Sequence, residues 1–229
     1  MEFLIIAVIC LVLIILLWII FGVDVKKLKG MTNIPELDSI AEKYPNNIDI
    51  CKQYLKKLKN EKVKIEEDAN SDATVYIAVS DKICIGNMRK SYARIQTIAH
   101  ECLHSIQNRK LLLFNFIFSN IYLLYFAVIL ICALFGRLPY KMTFLAVLCI
   151  LGLVYYTVRI YLENDAMIKA RFLAKEYMEE KGISTLEEIN SMVAQYDKVN
   201  DLGIRCVNYQ LFAGILVKLL IFVLVCWLR

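Results

Sequence analysis

Long apolar runs alternate with polar segments along this chain of 229 residues. A helix needs about 20 apolar residues to cross the hydrocarbon core of a bilayer, and four runs reach that length. They cover residues 3–23, 111–135, 142–162 and 206–228. Hydrophobic residues make up 59% of the chain, which is too apolar for an ordinary soluble domain. The pattern therefore predicts a mainly α, polytopic membrane protein with about four transmembrane helices.

The polar segments are predicted to fold beside these spans. In residues 24–110, helical spacing predicts a loop and short helix from Met31 to Tyr44, begun by Asn33, and a second helix at 47–60. Alternation and turn residues predict short strands at 62–66, 74–79 and 83–85. Residues 24–110 should thus form a small α+β segment.

Two further helical patterns complete the polar segments. One follows Ser91 and carries a predicted buried stripe of Ile95, Ile98, Ala99, Cys102 and Ile106. The other fills residues 163–205, where Gly182 is predicted to end one helix and a capping box over 184–187 to begin the next. Residues 163–205 should therefore be helical.

Basic residues flank the spans unevenly. Those beside the polar segments are Lys26, Lys27, Lys29, Arg109, Lys110, Lys169 and Arg171, against only Arg137, Lys141 and Arg229 at the opposite ends. By the positive-inside rule, the polar segments face the cytoplasm of a multi-pass cell-membrane protein. The eight cysteines have no paired spacing, which is typical of a reducing compartment. The net charge of +5 is explained by this asymmetry and requires no nucleic-acid partner.

The only two histidines stand four residues apart, as His100 and His104, with Glu101 between them. On a helix this spacing places both imidazoles on one face, where they can bind a single Zn²⁺ beside a glutamate acting as general base. The pattern predicts one catalytic zinc and a metallopeptidase, a class of hydrolase.

A catalytic zinc needs a third protein ligand, and no histidine remains to supply it. Two predicted membrane crossings separate Lys110 from Glu163, so the chain returns to the face that holds the histidines. Glu163 is the first acidic residue after that return, and it is the predicted ligand. Asp165 is the alternative.

The segment Thr74–Gln107, with its Ala-His-Glu-x-x-His-Ser-Ile-Gln ending, together with Glu163-Asn-Asp-Ala166, resembles the YugP-like membrane-bound neutral zinc metallopeptidases. This resemblance covers about half the chain and implies a gluzincin-like metallopeptidase domain. It implies His100, His104 and Glu163 as zinc ligands, Glu101 as the base and Asp165 as a residue that supports a ligand. Leu103 departs from the family's usual glycine, and Met167 replaces a small polar residue.

The expected reaction is amide hydrolysis, with Glu101 taking a proton from water and delivering it to the leaving amine. An edge strand between Val75 and Ile85 could hold an extended substrate, and a proline at Ala78 or Ile83 would then raise KM.

Arg171, Tyr161 and Tyr209 are unranked candidates for stabilising the oxyanion. His104 precedes the second span by seven residues, so the expected partners are the bilayer and proteins or peptides at its surface.

Two other functions fit parts of the sequence. Leu103 could crowd the metal helix, which would leave a catalytically impaired zinc-binding scaffold or binding protein. Lys218 and Arg159, in or near predicted spans, would suit a transporter or channel, although the chain has no inverted repeat. Lys218 is otherwise explained by a tilted helix or by a polar contact near the active site.

Overall fold

The computed structural model describes residues 1–31, 34–71, 73–88 and 91–229. These residues are mainly helical, at 75%, with one small sheet, which confirms the mainly α prediction. The helices are α1 (Glu2–Phe21), α2 (Val25–Met31), α3 (Pro35–Glu42), α4 (Asn47–Lys57), α5 (Arg94–Ile106), α6 (Arg109–Leu134), α7 (Lys141–Lys181) and α8 (Leu186–Leu228). The strands are β1 (Lys64–Glu67), β2 (Val75–Ile77) and β3 (Lys82–Ile85). The predicted helix start at Asn33 lies outside the described residues.

The chain divides into two compact units. The apolar unit comprises residues 1–23, 114–161 and 205–229, and the polar unit comprises residues 24–113 and 162–204. Among the described residues, four helices are long and apolar enough to cross a membrane: the stretch Glu2–Met31, α6, α7 and α8. The prediction of four membrane-capable helices is therefore confirmed.

Lys218 of the apolar unit is only partly buried, and the unit supplies contacts to its charge. Its Nζ donates to the carbonyl of Gly214 at 3.3 Å and lies 5.4 Å from the centre of the Tyr122 ring. A carbonyl dipole and an aromatic face both offset part of the cost of removing an ammonium group from water.

The polar unit contains a three-stranded sheet in the order β1-β3-β2. β3 pairs in parallel with β1 and antiparallel with β2. The predicted strands are therefore present, but β3 is central and its Ile83 is fully buried. The expectation that Ile83 lies at an edge is wrong, since β2 and β1 form the two edges of this sheet.

Helix α5 packs its apolar stripe into the core of the polar unit. Its residues Ile95, Ile98, Ala99 and Cys102 are buried with side chains from α4, α7 and α8. The Cys102 Sγ lies 3.6 Å from the Cys51 Sγ, which is a packing contact between α5 and α4. Ile106 is 46% exposed, so the predicted stripe ends one turn early.

The end of α7 and the start of α8 lie close to the predicted residues, with one difference. α7 ends before Gly182, which adopts a left-handed φ of +60°. The capping box that opens α8 uses Thr185 and Glu188, because Thr185 Oγ1 accepts from the Glu188 N–H and Glu188 Oε2 accepts from the Thr185 N–H. The box thus lies one residue beyond its predicted position.

We expect Gly86→Ala to lower the free energy of unfolding by about 1–3 kcal/mol, because the new methyl group has no room. A Cβ at Gly86 would lie 2.7 Å from the backbone carbonyl oxygens of both Ser71 and Ala73. The melting temperature in detergent measures the effect. Gly30→Ala, whose Cβ would meet nothing within 4 Å, is the control, and equal melting of the two variants would contradict the prediction.

Candidate metal centre

Two helices of the polar unit bring the predicted ligands together. α5 carries His100 and His104 one turn apart, and α7 carries Glu163. His100 and Glu163 are partly buried, and His104 is buried. These three residues form a group that could hold a metal ion, since one ligand atom from each lies within 4.8 Å of the others.

The distances between the ligand atoms suit a small divalent cation. His100 Nε2 lies 3.0 Å from His104 Nε2 and 3.5 Å from Glu163 Oε2, and His104 Nε2 lies 3.7 Å from the same oxygen. Two nitrogen or oxygen ligands bound tetrahedrally to one zinc are about 3.3–3.5 Å apart. Two imidazoles and a carboxylate are also the donor set that a catalytic zinc prefers.

The charged groups around the three candidate ligands also favour a bound cation. Burial alone would lower the pKa of His104, but Glu163 and Glu101 favour the positive imidazolium and raise the pKa above its ordinary value. The same carboxylates that attract a proton would attract a metal ion. The geometry and the electrostatics of the site therefore agree with the predicted ligand set.

Glu101 lies beside the group without joining it. Its Oε2 accepts a hydrogen bond from the Tyr76 N–H at 2.6 Å, and its Oε1 lies 3.9 Å from His100 Nε2. Burial raises the pKa of Glu101, although attraction to the two histidines and the bond from Tyr76 oppose the rise. A buried carboxylate with a raised pKa and one oxygen toward the metal side has the properties of a general base.

Asp165, the alternative ligand, takes a different position. Its Oδ2 accepts from Gln107 Nε2 at 3.1 Å and its Oδ1 lies 2.5 Å from Lys169 Nζ. Gln107 in turn contacts His104 Nδ1 through its Oε1 at 2.8 Å. Asp165 therefore connects to a ligand through Gln107, a residue to which the sequence alone assigns no separate role.

The two departures from the family pattern are accommodated by packing. Leu103 is 6% exposed and belongs to the buried core of the polar unit, while the ligand atoms of the flanking histidines converge as described. Met167 has its terminal methyl 3.0 Å from where a Cβ would stand at Gly203. The absence of a side chain at Gly203 thus gives Met167 its space.

The three candidates for stabilising an oxyanion belong to two different units. Arg171 forms an ion pair with Asp197 and stacks over the Phe172 ring, with its guanidinium carbon 4.4 Å from the ring centre. Tyr161 and Tyr209 belong to the apolar unit. These contacts single out none of the three.

Neither family models, nor curated proteins, nor solved structures provide a match to this chain. The resemblance to the YugP-like peptidases consequently rests on the quoted motif residues alone, and it stays a prediction. The class of site is defined by its own geometry: a cluster of two histidines and one glutamate that could hold a metal ion, in a protein with four membrane-capable helices.

Proposed function

We propose that this protein is a membrane-bound zinc metallopeptidase in which His100, His104 and Glu163 are the zinc ligands. The observation that carries the proposal is the convergence of three ligand atoms within 4.8 Å, with Glu101 Oε1 beside them. The lysines that follow the first span favour a cytoplasmic polar unit. The gluzincin-like class of the domain is part of the same proposal.

Zinc in this site would supply a Lewis acid that polarises the scissile carbonyl and acidifies a water molecule. Glu101 Oε1 accepts one proton as the water oxygen attacks the carbonyl carbon, and then donates that proton to the leaving amine nitrogen. The immediate products are a carboxylic acid and an amine, and transfer of the acid proton to the amine leaves a carboxylate and an ammonium group near neutral pH. The Tyr76 N–H holds Oε2, which leaves Oε1 as the oxygen that carries the proton.

The proposed substrates are extended protein or peptide segments at the membrane surface. β2 forms one edge of the sheet, and the Tyr76 N–H points to Glu101 rather than to β3. The carbonyl of a residue in an antiparallel strand points to the same side as its N–H. An added substrate strand would therefore lie along the side of β2 nearest the proposed base. Glu163 directly follows the predicted span 142–162, which favours substrates close to the bilayer.

The second candidate is a zinc-binding scaffold or binding protein without efficient catalysis, which Leu103 suggests only through its departure from the glycine of the similar family. The two candidates share the metal and differ only in hydrolysis, so one experiment on the full chain in nanodiscs separates them. Zinc content is measured per chain, and cleavage of an unstructured fluorogenic peptide mixture is followed before chelation, after chelation and after zinc is restored.

We expect about one zinc per chain, hydrolysis by the loaded protein, loss of hydrolysis on chelation and recovery with zinc. His100→Ala is expected to lose the metal and the activity together. Zinc without hydrolysis would overturn the peptidase and support the scaffold. Wild-type protein that takes up no zinc after reconstitution would overturn both candidates.

A further inference from the structure

We infer that Gln107 is a positioning residue, which holds His104 in the tautomer that binds metal through Nε2 and joins it to the turn of α7 that carries Glu163. This inference deepens the proposed function and rests on it. Gln107 is partly buried at the carboxyl end of α5, where its backbone N–H donates to the His104 carbonyl. From that position its side chain reaches both ligand-bearing helices.

The orientation of the Gln107 amide follows from its acceptors. Its Nε2 donates to the Leu162 carbonyl at 2.8 Å and to Asp165 Oδ2 at 3.1 Å. A backbone carbonyl has no proton to give, so the nitrogen of the amide must face Leu162. The Gln107 Oε1 is consequently the atom that lies 2.8 Å from His104 Nδ1.

An amide oxygen can only accept, so His104 Nδ1 must be the protonated nitrogen of the neutral ring. His104 Nε2 then keeps its lone pair, and it is this atom that lies 3.0 Å from His100 Nε2 and 3.7 Å from Glu163 Oε2. The hydrogen bond at one imidazole nitrogen selects which nitrogen binds a metal. The hydrogen bond to Gln107 therefore leaves His104 Nε2 as the nitrogen that can bind a metal.

The same amide fixes the distance between the two helices. Leu162 immediately precedes Glu163, and Asp165 follows it by two residues. Lys169 holds the Asp165 carboxylate through its other oxygen, at 2.5 Å. Gln107 therefore connects His104 on α5 to residues on both sides of Glu163 on α7, and its loss would release both constraints.

The test replaces Gln107 with methionine, which keeps the chain length and removes the amide. Zinc affinity is measured by competition with a chelator, and we expect it to weaken about 10–100-fold. Gln96→Met is the matched control: Gln96 lies on the same helix and donates to Asn200 on α8, so it joins two helices of the polar unit without a contact to His104. The control should stay within about twofold of wild type, by the same reasoning on ligand support.

A second measurement needs no metal. Since the chain has only two histidines, selective ¹⁵N-histidine NMR of the metal-free protein resolves two rings, which His100→Ala assigns. In its neutral form, the His104 ring should carry its proton on Nδ1 in wild type and in Gln96→Met. Gln107→Glu keeps an acceptor oxygen for Nδ1, so the same tautomer should persist in that variant. This variant still tests the inference if Gln107→Met fails to fold.

The outcomes separate this inference from the proposed function. A His104 ring protonated on Nε2 in wild type, or unchanged zinc affinity in Gln107→Met, would overturn the role of Gln107 and leave the peptidase proposal standing. The Nδ1 tautomer in a wild-type protein that binds no zinc would overturn the proposed function and, with it, the metal-positioning role. Zinc affinity that weakens in Gln107→Met but not in Gln96→Met, together with the Nδ1 tautomer in wild type, supports both the role of Gln107 and the proposed function.

Discussion

Glu101→Gln is expected to lower kcat for peptide hydrolysis by about 10²–10⁴-fold, the usual contribution of a positioned general base. Glutamine has nearly the shape of glutamate and retains an oxygen that can accept the hydrogen bond from the Tyr76 N–H. An amide cannot take up the proton of an attacking water near neutral pH. Since Glu101 is not among the three converging ligands, the zinc content should remain at the wild-type level.

The assay compares kcat, KM and bound zinc for Glu101→Gln, the wild type and Glu180→Gln. Glu180 is the control because its carboxylate is 60% exposed and pairs with Lys57 at the surface of the polar unit. Its removal should change kcat by less than about twofold, since exposed ion pairs contribute little. Wild-type kcat in Glu101→Gln would exclude Glu101 as the base, and loss of zinc from that variant would instead make it a part of the metal site.

The features that the sequence predicts well are those that depend on short-range patterns. Four apolar runs are long enough to cross a bilayer whatever lies around them, and four long apolar helices are present. The spacing of His100 and His104 is a local property of a helix, and α5 contains both. Glu163 required one further step, the counting of membrane crossings, and its carboxylate does lie beside the two imidazoles.

The features that the sequence misses depend on contacts between distant segments. The apolar alternation at 83–85 indicates a strand, but only its parallel pairing with β1 makes it the centre of the sheet. The amide of Gln107 has acceptors that lie 55 and 58 residues further along the chain. The role of Tyr76 is carried by its backbone N–H, which every residue except proline possesses. The sequence pattern therefore does not reveal the central strand or the role of Tyr76, and the motif that contains Gln107 does not say which atoms its amide contacts.

Arg94→Met should produce the largest loss of stability, because Arg94 joins the start of α5 to the end of α3, the start of α4 and the segment between them. Arg94 is 3% exposed, and its guanidinium donates to the carbonyls of Ala41, Tyr44 and Pro45 and to the Asn47 Oδ1. Burial lowers its pKa, so the charge depends on these acceptors for stabilisation. Methionine would fill much of the volume and remove this donor from all four acceptors, although the Ala41 carbonyl would keep its hydrogen bond from the Tyr44 N–H at 3.1 Å. We expect the free energy of unfolding to fall by about 3–5 kcal/mol, since each orphaned buried acceptor costs about 1–3 kcal/mol and the sites share one cavity.

The melting temperature in detergent, measured without metal, reports this loss independently of the zinc site. Arg137→Met removes an exposed arginine and should leave the melting temperature nearly unchanged. Arg94→Lys keeps the positive charge but has a single nitrogen, which can reach only some of the four acceptors, so its melting temperature should lie between those of Arg94→Met and the wild type. Because the ligands His100 and His104 follow Arg94 on α5, zinc affinity should weaken in the same order. Similar melting of Arg94→Met and Arg137→Met would show that the four acceptors find other donors and that Arg94 does not hold α5 in place.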